Sequence, residues 1–437
     1  MMDNNDKSRL LVTREGVSYV LPFIVVTCCF ALWGFANDIT NPMVKAFSKI
    51  FRMSVTDGTL VQVAFYGGYF CMALPAALFI RRHSFKSGIV MGLALYALGV
   101  LLFIPARSMG SFAPFLVAYF ILTCGLSFLE TTANPYILLM GDRETATRRL
   151  TFAQSFNPIG SLAGMYVAMN FIQARLSPLD TSQRAVLDDA RFEALKQSDL
   201  SVLIQPYALL GLVIIALLVV LLVVRIPAVR QSAREQHAPL LPAVKWLLGN
   251  RTYRDGVVAQ FFYVGAQITC WTFIIQYGTR VFMAEGMGEQ AAEVLSQRYN
   301  IVAMVLFCLM RFVNIYLMKY FKPGRLLAFF AAVAMVLLAG VILVGGRTGI
   351  YCLVAVSACM SLMFPAIYGI ALGDVHDDAE VGSAGLIMAI LGGSVLPALQ
   401  ALIIDSPVQV LPAVNLSFVV PVVCFAVVML YGLRQTR

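Results

Sequence analysis

The chain has 437 residues, of which 60% belong to the hydrophobic set and only 13% are charged. Soluble domains contain roughly 45–50% apolar and about 25% charged residues, so a soluble globule could not cover this much apolar side chain. Together with a mean hydropathy of +0.81, the composition also excludes a disordered chain and a small disulfide-rich domain. It indicates an integral membrane protein.

The nine cysteines and the net charge of +9 are compatible with this class. The cysteines all lie in apolar stretches and form no CxxC pair, which is typical of small core residues and not of metal ligands. Positive charge in a membrane chain resides chiefly in loops that face the cytoplasm and anionic lipid. We therefore expect no metal, no cofactor and no nucleic-acid partner.

Twelve apolar runs are long enough for transmembrane helices, which need roughly 20 residues to cross the hydrocarbon. The runs are continuously apolar instead of alternating, which favours helices over a β-barrel. In chain order, spans 1 to 12 are predicted at 19–47, 60–80, 87–104, 113–140, 152–171, 201–224, 256–281, 299–318, 326–344, 350–372, 382–404 and 411–431.

The basic residues predict the orientation of these spans. If the N-terminus is cytoplasmic, most of the 32 Lys and Arg residues lie in cytoplasmic segments, as the positive-inside rule requires. The longest cytoplasmic loop divides the chain into an N-terminal six-helix bundle (1–224), a linker (225–255) and a C-terminal six-helix bundle (256–437). Two such halves with a site between them are typical of transporters. A charged helix at 182–197 and an acidic cluster at 374–380 are predicted to lie outside the membrane.

Three ionisable side chains, Asp38, Glu130 and Arg311, fall away from the ends of the predicted spans. A charge in the middle of a transmembrane helix costs about 2.5–3.5 kcal/mol on insertion scales, so each serves either as a clamp between helices or as part of a binding site. Polar residues at helical spacing favour a water-filled central site. These stripes comprise Asn37, Asp38, Thr40 and Asn41; Gln62, Tyr66 and Tyr69; Glu130, Thr131 and Asn134; Gln154, Asn157 and Ser161; and Gln260, Tyr263, Gln267 and Trp271.

The residue types in these stripes suit a neutral sugar. Amides and carboxylates exchange several hydrogen bonds with hydroxyl groups, and the rings of Trp33, Trp271 and Phe307 offer flat apolar faces. A strongly anionic ligand would need clustered basic residues, whereas Arg311 stands alone in the predicted spans. Glu130 and Asp38 could exchange a proton as access alternates; Asp38 could instead ligate Na⁺ together with neighbouring oxygen atoms.

An enzyme is not indicated. The three histidines, His83, His237 and His376, fall in predicted loops, and no HExxH, GxSxG or P-loop pattern occurs.

Several longer strings carry a resemblance to a known family. They are LWGFANDITN (32–41), QVAFYGGYF (62–70), GLSFLETTANPY (125–136), AQSFN (153–157), YVGAQITCW (263–271) and MSLMFP (360–365). With them the chain resembles the fucose–galactose–glucose:H⁺ symporter family of the major facilitator superfamily, and its L-fucose permeases in particular. The resemblance implies an all-α fold of twelve transmembrane helices in two six-helix bundles, and H⁺-coupled sugar uptake by alternating access.

The resemblance also implies roles for individual residues. The family's membrane glutamate matches Glu130, its sugar-lining residues in span 5 match Gln154 and Asn157, and its cavity aromatics match Trp33, Trp271 and Phe307. The chain departs from the family at two places. The family's span-1 aspartate stands at the position of Asn41, with an asparagine at the position of Asp38, and its span-10 tyrosine is Phe364 here.

We therefore expect a monomeric symporter of the bacterial inner membrane that takes up a neutral monosaccharide, L-fucose first, with H⁺. Glu130 is the expected protonation site, and Asp38 is expected to couple sugar binding to closure. The alternatives are a glucose/galactose transporter, which could use Na⁺, and, with less support, an efflux antiporter or a non-transporting sugar sensor. The expected substrate-binding residues are Trp33, Asp38, Asn41, Glu130, Gln154, Asn157, Gln267, Trp271, Phe307 and Phe364.

Overall fold

A computed structural model describes residues 19–40, 43–53, 60–177, 179, 183–184, 186–223, 240–373, 375, 378–404 and 413–436. In this part of the chain the regular structure is helical, and eleven helices are long and apolar enough to cross a membrane. Span 5 is the twelfth crossing. Its helix is interrupted at Ser155 and carries polar side chains into the bundle, so it does not form one long apolar helix.

The bounds of the spans follow in chain order. They are Val20–Thr40, Leu60–Arg82, Phe85–Leu101 with Phe103–Ser108, Ala113–Leu139, Ala146–Gln154 with Phe156–Val167 and Ala168–Gln173, Asp189–Val223, Arg251–Ala284, Glu289–Leu317, Pro323–Leu343, Gly346–Met360 with Met363–Leu372, Ala379–Met388 with Ala389–Leu391 and Gly392–Ile404, and Ala413–Ser417 with Val419–Arg434. Short helices at Met43–Ile50 and Leu240–Gly249 follow spans 1 and 6.

The charged helix expected at 182–197 is present from Asp189 onward. It is the beginning of span 6, which continues unbroken to Val223. The charges near this end are paired or bonded: Arg184 donates to Asp199 at 2.6 Å with both side chains buried, and Lys196 donates to the carbonyl oxygen of Gly110 at 3.1 Å. With its charges satisfied in this way, the helix extends beyond its apolar segment.

Glycines let pairs of helices pack at backbone distance in each half of the bundle. A Cβ atom on Gly160 of span 5 would overlap the carbonyl oxygen of Ala31 in span 1, and one on Gly392 of span 11 would overlap that of Phe261 in span 7. Small residues allow transmembrane backbones to approach this closely. Spans 1 and 5 therefore pack together in the first half as spans 7 and 11 do in the second.

The two halves meet at the end of the bundle where the first and last described residues lie, which we call the terminal face. Here Arg81 at the end of span 2 forms an ion pair with Asp378, with an N–O distance of 3.0 Å. Glu380 is buried in the first turn of span 11. The expected solvated acidic loop is therefore wrong for Glu380, which is buried, whereas Asp378 is half-buried in its pair with Arg81. Asp374 and Asp377 lie outside the described residues.

Candidate functional site

A cavity between the two halves contains about 840 Å³ of empty space, its open mouth included. Every expected site residue that the structure describes lines it: Trp33, Asp38, Glu130, Gln154, Asn157, Gln267, Trp271, Phe307 and Phe364. Asn41 lies outside the described residues. Side chains from spans 1, 4, 5, 7, 8 and 10 thus converge on one space, as the polar stripes predict.

The packing of span 5 against span 1 positions one wall of the cavity. Asn157 donates through Nδ2 to the carbonyl oxygen of Phe30 at 3.4 Å, and Ser161 donates to that of Gly34 at 3.3 Å. The ring of Trp33 stacks on Phe30 with the centroids 5.0 Å apart. Amide, hydroxyl and indole groups are therefore held at fixed positions along this wall.

Glu130 lies on span 4 and is only 3% exposed. Its Oε1 accepts a hydrogen bond from the Tyr69 hydroxyl at 3.2 Å, and its Oε2 is buried with no hydrogen-bond partner among the described residues. A single neutral donor replaces little of the hydration that a carboxylate loses on burial. This carboxyl group therefore occupies a site suited to gaining and losing a proton.

Gln154 connects the cavity to two neighbouring helices. Its side chain donates through Nε2 to Oδ1 of Asn134 at 2.9 Å. Its backbone carbonyl accepts a hydrogen bond of 2.6 Å from Nη1 of Arg311, which reaches across from span 8. Arg311 is buried, and its guanidinium carbon also lies 4.9 Å from the centroid of the Phe307 ring.

Aromatic side chains dominate the wall formed by the C-terminal half. Trp271 donates through Nε1 to the Ser357 hydroxyl at 3.2 Å, and its ring meets Phe307 edge to face at a centroid distance of 5.1 Å. Phe364 and Gln267 also line the cavity. Such a surface can cover the C–H face of a ring-shaped ligand, while the opposite wall supplies hydrogen bonds.

Some cavity residues were not among those expected. They are Phe30, Asn37, Phe65, Tyr66, Tyr69, Pro158, Ser161, Val264, Ile268, Met304, Arg311 and Ile390. Asn37, Tyr66, Tyr69 and Ser161 belong to polar stripes that the sequence shows, and Arg311 is an intramembrane charge, so these five carried a detectable signal. The apolar members look like any core residue in the sequence.

No cluster of three or more metal-ligating side chains occurs in the described part of the chain. His83 lies in the loop after span 2, where its ring stacks on Phe79 at 4.3 Å; His237 and His376 lie outside the described residues.

A family model described as the Major Facilitator Superfamily matches residues 26–401. This chain belongs to the major facilitator superfamily. The L-fucose-proton symporter of Haemophilus influenzae is 48% identical to this facilitator over 428 residues, which cover 96% of this chain and 97% of that protein. A glucose/galactose transporter of Brucella abortus is 31% identical over 433 residues, which cover 97% and 96% of the two chains.

The fold of this facilitator also matches a solved structure. A crystal structure of a major facilitator superfamily transporter, FucP, in the outward conformation gives a TM-score of 0.85 at 29% identity, and the match covers 96% of this chain and 99% of that one. The expected family and its fold of twelve helices in two bundles are confirmed. The relatives named here are transporters, in agreement with the expectation that the chain is not an enzyme.

Proposed function

We propose that this facilitator takes up a neutral monosaccharide together with H⁺, with L-fucose as its first substrate. One observation carries the proposal: a buried carboxyl group, Glu130, shares a single cavity between the halves with amides and flat aromatic faces. The 48% identity to a protein named as an L-fucose-proton symporter supports both the sugar and the ion. Alternating access would expose this cavity to each side of the membrane in turn.

The chemistry of the lining suggests a role for each group. Glu130 binds the transported proton, and Asp38 couples sugar binding to closure of the cavity. Amide groups exchange hydrogen bonds with the sugar hydroxyls, and aromatic rings pack against the apolar face of the sugar ring. The lining amides assigned to this role are Gln154, Asn157 and Gln267, and the aromatic residues are Trp33, Trp271, Phe307 and Phe364. Asn41, which lies outside the described residues, is assigned to it from its place in the polar stripe of span 1.

We further propose that the protein is a monomer in the bacterial inner membrane with both termini in the cytoplasm. The bundle of residues 1–224 and the bundle of residues 256–437 would move as rigid halves joined by the linker 225–255. The distribution of basic residues supports this orientation. The terminal face would then be cytoplasmic, and the contacts that close it would define an outward-facing state. The similarity to FucP in the outward conformation supports this assignment.

A second candidate is transport of glucose or galactose. The similarity to the Brucella abortus transporter favours it, and Phe364 in place of the family's span-10 tyrosine removes one hydroxyl group from the pocket. Na⁺ would then be a candidate coupling ion at Asp38. An efflux antiporter has less support, because its cavity would be largely apolar, whereas this one holds two carboxyl groups and several amides.

Uptake into proteoliposomes tests the proposal. Radiolabelled L-fucose, D-galactose and D-glucose are offered under an inward H⁺ gradient alone and under an inward Na⁺ gradient alone, with protein-free liposomes as the control. We expect L-fucose to accumulate above its external concentration with the H⁺ gradient only. Accumulation driven by Na⁺, or of glucose but not L-fucose, would support the second candidate, and the absence of uptake for all three sugars would contradict the proposed function.

A further inference from the structure

Spans 4 and 5 each contain a proline beside the cavity residues. Proline has no N–H group, so the carbonyl four residues earlier in a helix loses its hydrogen-bond donor. Pro135 leaves the carbonyl of Thr131 without this donor in span 4, and Pro158 does the same to the carbonyl of Gln154 in span 5. Within a membrane such a group must be satisfied by neighbouring helices.

Both carbonyl groups are satisfied by side chains of the other half. Nη1 of Arg311 in span 8 donates to the carbonyl oxygen of Gln154 at 2.6 Å. The hydroxyl of Ser383 in span 11 donates to that of Thr131 at 2.9 Å, and it is itself hydrogen-bonded to the Tyr368 hydroxyl of span 10. The donors lie 157 and 252 residues further along the chain than their acceptors. Prolines in the N-terminal half thus leave carbonyl oxygens free, and side chains of the C-terminal half donate hydrogen bonds to them.

The positions of these carbonyl groups connect them to the transport site. Gln154 lines the cavity with its side chain, and Thr131 directly follows Glu130 in span 4. A side chain that holds either carbonyl therefore fixes the backbone that carries a site residue. Arg311 has no ion-pair partner among the described residues, so the bond to Gln154 is its principal polar contact in the structure.

We infer that Arg311 and Ser383 are positioning residues for transport. They dock the C-terminal half onto the carbonyl groups of Gln154 and Thr131, which Pro158 and Pro135 leave without a backbone donor. Docking holds Gln154 in place for the sugar and the backbone beside Glu130 in place for the proton. These two roles rest on the proposed function, whereas the docking bonds themselves do not. Arg311 acts through the backbone of Gln154, and its charge strengthens that hydrogen bond.

A double-mutant cycle with Pro158→Ala tests the inference. Alanine restores an N–H group that can bond to the carbonyl of Gln154, so it replaces Arg311 as the donor. We expect Arg311→Met to lower kcat/KM for sugar uptake by at least about tenfold, since hydrogen bonds to charged groups are among the stronger ones. In the Pro158→Ala background the same substitution should lower kcat/KM by less than about threefold. Equal losses in both backgrounds would contradict the inference and assign Arg311 a direct role toward sugar or proton.

Two further variants keep the test decisive. Asn314 lies one turn from Arg311 and donates to the Ser361 hydroxyl at 2.7 Å, within its own half. Asn314→Ala is therefore the matched control, and it should change kcat/KM by the same factor in both backgrounds. If Pro158→Ala does not yield folded protein, Ser383→Ala and Pro135→Ala form an independent cycle. We expect the effects of these two substitutions on kcat/KM to be non-additive as well. Additive effects would overturn the inference.

A measurement without sugar separates this inference from the proposed function. The same cycles are run on the thermal unfolding temperature of the detergent-solubilised protein. Non-additive shifts would support docking even if the wild-type protein transported none of the sugars offered. Additive shifts, with normal L-fucose uptake by the wild type, would refute docking and leave the proposed function intact.

Discussion

The substitution Glu130→Gln keeps the size of the side chain and an oxygen that can accept the Tyr69 hydroxyl, but it removes the group that binds a proton. A pH difference of one unit stores about 1.4 kcal/mol per proton. A transporter that moves one proton with each sugar can therefore accumulate sugar about tenfold. In Glu130→Gln we expect this ratio to fall to about one. Because the bond from Tyr69 remains, sugar affinity should change by about 1 kcal/mol at most.

Two assays in proteoliposomes separate these effects. Accumulation is measured with the interior one pH unit more alkaline than the exterior, and exchange is measured by counterflow with no gradient. The variant should lose accumulation and keep counterflow. Tyr69→Phe is the matched control, because it removes the hydroxyl but leaves the carboxyl group, and it should keep accumulation. Proton-driven accumulation by Glu130→Gln would refute the assignment of Glu130 as the protonation site.

Three other predictions concern different parts of the molecule. Phe364→Tyr adds a hydroxyl group to the cavity wall and should raise affinity for L-fucose by about 0.5–1.5 kcal/mol, measured as a lower KM, whereas an unchanged KM would place this ring away from the sugar. Gly160→Ala forces spans 1 and 5 apart and should destabilise the protein by about 1–3 kcal/mol, while Gly67→Ala, with open space around the added Cβ, should not; equal unfolding temperatures for the two would contradict the packing. Arg347 donates two hydrogen bonds of 2.8 Å to Glu285, and these bonds lower the pKa of the Glu285 carboxyl group below the ordinary 4.5. A carboxyl group with a lowered pKa stabilises the folded state above its ordinary pKa, and this stabilisation is lost as the pH falls through the lowered pKa. Glu285→Gln should therefore be less stable than wild type near neutral pH, and the difference in unfolding temperature should shrink in acid.

The spans and most of the cavity could be predicted because both depend on local patterns. Continuous apolar runs identify transmembrane helices, and polar residues three or four apart mark one face of a helix. Glu130 and Gln154 stood out since a polar group inside a membrane is costly without a use. The small residues around Gly160 mark a helix that can pack closely, whereas only the structure shows that its partner is span 1.

Other features depend on contacts that no local pattern records. Next to the interruption at Ser155, the carbonyl oxygen of Gln154 accepts a hydrogen bond from Arg311, which lies 157 positions further along the chain. The start of span 6 at Asp189 was missed because its charged segment resembles a surface helix, and the buried pair of Arg184 and Asp199 that stabilises it forms only in the folded protein. Glu380 is likewise buried at the start of a helix that packs against span 2 of the other half.

Proton symport requires that H⁺ enters together with the sugar, and this movement can be recorded as a change in external pH. De-energised vesicles containing the wild-type protein are placed in weakly buffered medium, and the external pH is recorded when L-fucose is added. We predict that the medium becomes alkaline as sugar enters, and that the same addition to Glu130→Gln vesicles produces no pH change. Entry of labelled L-fucose into wild-type vesicles with no change in external pH would contradict proton symport.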